Sequence, residues 1–204
     1  MDPEVERALV SGLRDGDRGA FDAVYREFHR PLFNFLARLG RRRDLAEDLL
    51  EETWLRLASH ARKLSPDTRL GPWLFTVARN LYVSYCRSRA LDDALTSDPI
   101  GLWPVSPAPP SPFESAAAGE LECAVERALA GLPRIYREVV LLAASGFTSP
   151  EAAGVCGITS VAARQRLSRG RDMLARALAR PGDGGKGLET RFAARTAEDG
   201  PDVE

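Results

Sequence analysis

Between Asp92 and Ser115 the sequence DDALTSDPIGLWPVSPAPPSPFES carries six prolines and no sustained hydrophobic period. A proline inside a helix removes a backbone hydrogen bond and drives its ring into the preceding turn, and inside a sheet it interrupts the ladder. No regular element can run through this stretch, so the 204 residues must fold on either side of it. The stretch itself is predicted to be a linker in the extended polyproline regime, where some 24 residues reach on the order of 70 Å at ~3.1 Å each. Leu102 and Trp103 within it are expected to tack onto one of the flanking units rather than to act directly.

On the N-terminal side the apolar residues recur with the helical period. Pro3 to Leu13 reads as a short helix closed by Gly16, with Asp17 placed to cap the next. From Arg18 to Leu39 the residues Phe21, Tyr25, Phe28, Leu32, Phe35, Leu36 and Leu39 form one inner stripe, with Pro31 as a point of bending. Gly40 and Arg41-Arg42-Arg43 make a basic loop, and Asp44 is expected to cap a third helix reaching Ala61. Its inner stripe is Leu45, Leu49, Trp54, Leu57 and Ala61; its outer edge carries Glu47, Asp48, Glu51 and Glu52. Carboxylates in the first turns favour the positive end of a helix. Four of them within six residues exceed what capping requires.

After Ser65-Pro66-Asp67 comes TRLGPWLFTVARNLYVSYCRSR, Thr68 to Arg89, predicted as a helix starting near Gly71-Pro72. Leu74, Val77, Ala78, Leu81 and Tyr85 form its buried stripe, while Trp73, Thr76, Asn80, Val83, Ser84 and Arg87 share the other side. An indole, a hydroxyl, an amide and a cation in one arc can stack on bases, bond their edges and touch phosphate. By itself such an arc is more often a core rim beside solvated polar residues.

Beyond the linker, Leu121, Val125, Leu129 and Leu132 mark a helix, Pro133 opens another that Gly146 stops, and Thr148-Ser149-Pro150-Glu151 reads as a capping box. A short helix then ends at Gly157, and Ser160 is expected to cap the last one, whose packed stripe is Ala163, Leu167, Gly170, Leu174 and Leu178. Short helix, tight glycine turn and longer Arg-rich helix are the helix-turn-helix layout. On its outer side Gln165, Arg169 and Arg176 face away from the core, flanked by Arg164, Arg166 and Arg171, as base-reading and phosphate-contacting groups require. Against duplex DNA the linker's reach amounts to about two helical turns. The residues after Pro181 are Gly-rich and polar, and a disordered tail is expected over 181–204.

Composition narrows the function classes. Lys+Arg 28 against Asp+Glu 29 leaves no global polycation, but the charge is segregated: six Arg against Asp172 between Arg164 and Arg180, and carboxylates from Glu47 to Glu52. Cys86, Cys123 and Cys156 are odd in number and far apart, which fits reduced thiols in a cytoplasm. With only His29 and His60 beside them, no metal-ligand spacing occurs, and no cofactor is implied. No His, Cys or carboxylate constellation has nucleophile or base spacing, and no Gly-rich phosphate loop follows a strand, which argues against an enzyme. No apolar run approaches the ~18 residues of a membrane span, and the acidic start MDPEVERAL is unlike a signal peptide. The expectation is a cytoplasmic, all-α protein with an N-terminal unit over 1–91, a linker over 92–118 and a helix-turn-helix unit over 119–180.

These pieces resemble a known family. Leu45-Ala46-Glu47-Asp48-Leu49-Leu50-Glu51-Glu52-Thr53-Trp54-Leu55-Arg56-Leu57 resembles the polymerase-binding helix of bacterial sigma factors, and Pro72-Trp73-Leu74-Phe75-Thr76-Val77-Ala78-Arg79-Asn80-Leu81 resembles the promoter-melting helix beside it. Leu132-Pro133-Arg134 with Arg166-Leu167-Ser168-Arg169-Gly170-Arg171 resembles the family's helix-turn-helix domain, and two such domains with nothing else between them resemble the extracytoplasmic function (ECF) group. The resemblance covers roughly residues 5–180. It implies a subunit of core RNA polymerase rather than an enzyme: Glu47, Asp48, Glu51 and Glu52 dock on a coiled coil of the polymerase. Trp73, Thr76, Asn80 and Arg87 then face the minus-ten element of promoter DNA, Asn80 against an unpaired base with the loop 68–72 forming part of the pocket. Arg164, Gln165, Arg166, Arg169 and Arg171 face the minus-thirty-five element. It also implies an anti-sigma factor as a further partner, although no feature of this sequence identifies one. The chain departs from the family pattern at Glu51, where Gln is common, at Ala152, Ala153 and Gly154, and at Ala163. The competing assignment is a stand-alone helix-turn-helix regulator.

Overall fold

The computed structural model describes residues 2–95 and 120–179, which form eight α-helices and a short 3-10 turn. The linker reading over 96–118 and the tail reading over 181–204, with Leu102 and Trp103, lie outside the described residues. The first unit contains α1 (Pro3–Asp15), α2 (Arg18–Gly40), α3 (Arg43–His60), the 3-10 turn Ala61–Lys63 and α4 (Leu70–Leu95). The second contains α5 (Glu120–Ala130), α6 (Arg134–Ala144), α7 (Ser149–Cys156) and α8 (Ser160–Leu178).

Local chemistry sets most of these ends. Asp2 and Asp17 accept from the backbone N–H groups of Glu4 and Gly19 at 2.8 Å each, and Gly16, Gly146 and Gly157 supply the positive φ that ends α1, the α6 turn and α7. Helix α2 runs unbroken through Pro31. The N-cap of α3 is Arg42, not Asp44; Asp44 sits in the first turn and pairs with the Arg42 guanidinium, which lowers its carboxyl to about 2. The N-cap of α8 is Thr159, not Ser160: the Ala162 N–H donates to Thr159 Oγ1 at 3.2 Å. Two residues after the left-handed Gly157, Thr159 has the extended backbone that a cap needs. Helix α4 starts one residue ahead of Gly71 and continues through residues 92–95, which proline content alone assigns to the linker.

The predicted inner stripes hold for Leu32, Phe35, Leu36 and Leu39 of α2 and for Leu45, Leu49, Trp54 and Leu57 of α3, all buried. Tyr25 departs from its stripe and is exposed, as is Leu178 at the end of α8, where Met173 is buried instead.

The two units touch. Helix α4 packs on α7, α2 packs on α6, and a single hydrophobic cluster runs through both. Phe75 joins the halves: its ring meets Phe35 tilted at 5.2 Å and Phe147 edge to face at 4.7 Å, between centroids. Arg79 of α4 meets Glu138 of α6 at 2.9 Å, and Glu138 is only 1% exposed. Arg137 donates to the carbonyls of Leu129, Ala130 and Leu132, closing the C-terminal end of α5, and reaches Leu39 O of the first unit at 3.2 Å.

Candidate docking and nucleic-acid interfaces

Three exposed surfaces carry the predicted site residues. The first lies between α2 and α3. Packing these helices by their inner stripes leaves Phe21, Tyr25 and His29 facing Leu50, Trp54 and Leu55 across a groove of about 540 Å³. Tyr25 stands 4.8 Å from Trp54 and 4.5 Å from His29, ring to ring, and Leu55 is 59% exposed at the lip. Glu47 and Glu51 line the same groove. Glu47 is held by Arg43 at 2.8 Å and Glu52 by Arg56 at 2.9 Å, whereas Asp48 and Glu51 have no ion-pair partner among the described residues. An aromatic floor with an acidic edge suits a partner helix that offers an apolar side chain flanked by cations. The sequence pointed to the carboxylates and missed Tyr25 and Leu55, because Tyr25 fits the inner stripe by period and Leu55 lies one position past the buried Trp54.

The second surface is one of three faces of α4. Leu74 and Ala78 face the first unit's core, and Leu81 and Tyr85 pack against it; Phe75 and Arg79 face the second unit. The remaining arc holds Asn80, Ser84 and Arg87, all exposed, with Trp73 and Thr76 half-buried at its start. The Thr76 hydroxyl donates to Pro72 O at 2.7 Å, so it is engaged with its own helix. The start of α4 is fixed from a distance. Glu6 of α1, buried, accepts from the Leu70 N–H at 2.8 Å and meets Arg69 at 2.9 Å, thereby capping the helix and anchoring the loop before it. The sequence reading missed Glu6, although its spacing to Val10 and Leu13 places it on the buried line of α1.

The third surface is the helix-turn-helix of α7 and α8. The capping box is present, Glu151 Oε2 accepting from both the N–H and the hydroxyl of Thr148 at 2.9 and 2.8 Å. These two bonds, with Arg69 at 3.2 Å, hold the Glu151 carboxyl below the ordinary glutamate range. Ala152, Ala153, Val155 and Cys156 bury α7 against α8, and burial pushes the Cys156 thiol up to about 11, leaving it protonated at neutral pH. Gly170 lets α8 approach α6: a Cβ there would stand 2.6 Å from Val140 Cγ2. With Ala163, Gly170 and Met173 inward, Arg164, Gln165, Arg169 and Arg171 are exposed and Arg166 is half-buried. Among the described residues none of the four exposed side chains is engaged in a hydrogen bond or ion pair.

Comparison with known proteins places these surfaces in context. Residues 24–91 match the family model for sigma-70 region 2, and residues 124–174 match that for sigma-70 region 4. The RNA polymerase sigma factor CarQ of Myxococcus xanthus is 34% identical over 163 residues, covering 79% of this chain and 91% of that protein. The ECF RNA polymerase sigma factor EcfG of Rhodopseudomonas palustris is 34% identical over 142 residues, covering 69% and 75%. Among solved structures, the sigma factor RpoE in complex with the anti-sigma factor NepR from Bartonella quintana superposes with a TM-score of 0.62 at 28% identity, covering 77% of this chain and 97% of that one. CnrH in complex with the cytosolic domain of CnrY shares the fold, with a TM-score of 0.65 at 23% identity over 87% of this chain and 99% of that one. The chain belongs to the sigma-70 family, as an ECF-type RNA polymerase sigma factor.

Proposed function

We propose that the chain binds core RNA polymerase through the α2–α3 groove and its acidic edge, reads and opens the minus-ten element with the open arc of α4, and reads the minus-thirty-five element with α8. It acts in the cytoplasm as an initiation subunit, and the chemistry of RNA synthesis belongs to the polymerase. The first unit, residues 1–91 with the four further residues of α4, carries docking and melting; the second, residues 119–180, carries duplex recognition. An anti-sigma factor is a further partner by analogy with RpoE, whose structure contains one.

The observation that carries this reading is an aromatic groove lined by the uncommitted carboxylate Glu51, with Asp48 likewise unpaired on the same helix, next to the helix bearing Asn80. Opening a base pair and flipping a base costs a few kcal/mol, which a pocket and a stacking side chain return. Reversing Glu47, Asp48, Glu51 and Glu52 to Lys is expected to abolish binding to purified core polymerase in a native gel, and Leu55→Arg to weaken it more than tenfold; a complex that survives both rejects the docking assignment. Free protein should shift promoter duplex only weakly, whereas a stand-alone regulator would bind it tightly. Asn80→Ala should spare the closed complex and reduce permanganate reactivity of the melted strand.

A further inference from the structure

We infer that Val161 and Gln165 fix the base preference of α8, Val161 against the C5-methyl group of a thymine and Gln165 against an adenine within about two base pairs of it. The inference rests on α8 being the helix that enters the major groove. At ~100° per residue, Val161, Gln165, Ser168 and Asp172 fall on the line opposite the buried Ala163, Gly170 and Met173.

Val161 is 55% exposed in the first turn of α8 and belongs to no part of the hydrophobic cluster. An isolated exposed valine is ordinary on a protein surface. Here it stands one turn before Gln165 on the outermost line of the helix, and its position is held by the left-handed Gly157 and the Thr159 cap.

The major groove gives that arrangement a meaning. Thymine alone presents a methyl group there, while adenine presents the acceptor and donor pair that a glutamine amide matches bidentately. Four residues of helix span about 6 Å, close to two base-pair steps of 3.4 Å each. Arg164 and Arg169 lie on opposite sides of the line, where they meet the flanking phosphates or a neighbouring guanine. Asp172, the one carboxylate on the line, lies eleven residues beyond Val161, about 16 Å along the helix. A helix entering by its N-terminus leaves Asp172 outside a groove about 8.5 Å deep.

The test uses holoenzyme assembled with purified core polymerase on a promoter that it selects from a library randomised upstream of the start. Each thymine of the minus-thirty-five element is replaced in turn by deoxyuridine, which removes only the methyl group. One position should lose about fourfold in holoenzyme affinity, the equivalent of one methyl group at ~0.8 kcal/mol. Holoenzyme carrying Val161→Ala should no longer distinguish thymine from deoxyuridine there, and selection with Gln165→Ala should relax at one adenine within about two positions of it. An element insensitive to every replacement, one without thymine, or a Val161→Ala loss equal on both bases overturns the inference. Failure of the underlying assignment looks different: the holoenzyme then starts transcription without any dependence on the upstream element.

Discussion

Glu151 binds the first turn of α7 to itself and to the start of α4. Because the Thr148 N–H, the Thr148 hydroxyl and Arg69 all favour the ionised carboxyl, its folded pKa is below the unfolded value. A carboxylate depressed in this way stabilises the fold above its unfolded pKa, and that contribution disappears as pH falls through the folded pKa. Glu151→Gln keeps an acceptor for the Thr148 N–H but cannot titrate. The variant should lose under about 1 kcal/mol at neutral pH and converge on the parent at the acid end of a urea-unfolding series. Parallel stability curves would remove Glu151 from the acid response. The box was legible because Thr148 and Glu151 lie three apart ahead of an apolar run. Glu6 was not, although the same bond type is involved: its Leu70 partner lies 64 residues away, and a charged side chain on an apolar line is discounted by any count of hydrophobic period.

At the scale of the helix, the two glycines of the helix-turn-helix make opposite demands. Gly154 is exposed, has no positive φ, and a Cβ there meets nothing within 4 Å. Gly154→Ala should therefore stabilise the unit by about 0.5–1 kcal/mol through helix propensity. Gly170 stands against Val140 and Tyr136 where α8 crosses α6, and Gly170→Ala should destabilise by about 1–3 kcal/mol through overpacking. Thermal melts of the full chain check both signs; equal effects would mean that the α6–α8 contact yields to a methyl group. The same reasoning shows what the sequence could not reveal about α4. Leu74, Ala78, Leu81 and Tyr85 of its stripe were legible because one apolar face repeats at helical spacing, whereas Val77, on the same line by period, is half-buried and outside the cluster. The face of Phe75 and Arg79 was not, because its partners Phe147 and Glu138 lie 72 and 59 residues away and one member is an arginine. Periodicity reports which faces are apolar, and it is silent on a face made of a ring and an ion pair.

For the molecule as a whole, the contact between the units joins apolar packing to a buried charge. Glu138 faces Arg79 at 2.9 Å and Arg134 at 3.6 Å, so its carboxylate is neutralised from both units. Pulling α4 away from α6 would leave Glu138 with Arg134 alone. The docked arrangement therefore depends on Arg79. Removing one partner of a buried pair costs about 3–5 kcal/mol, whereas replacing both by apolar groups of similar volume is often neutral or stabilising. Arg79→Leu should fall toward the low end of that range, because Arg134 remains and Arg79 is partly exposed. It should raise the radius of gyration measured by X-ray scattering and speed amide exchange in α7. The double replacement Arg79→Leu with Glu138→Leu should restore the compact profile, since Phe75 and Phe147 still pack and no carboxylate is left without its partner. A single variant that scatters like the parent would show that the Arg79–Glu138 pair is dispensable and that the aromatic contact, with the Arg38–Glu126 and Arg137–Leu39 contacts, holds the units together. A double variant that stays expanded would show that the ion pair supplies orientation which packing cannot replace.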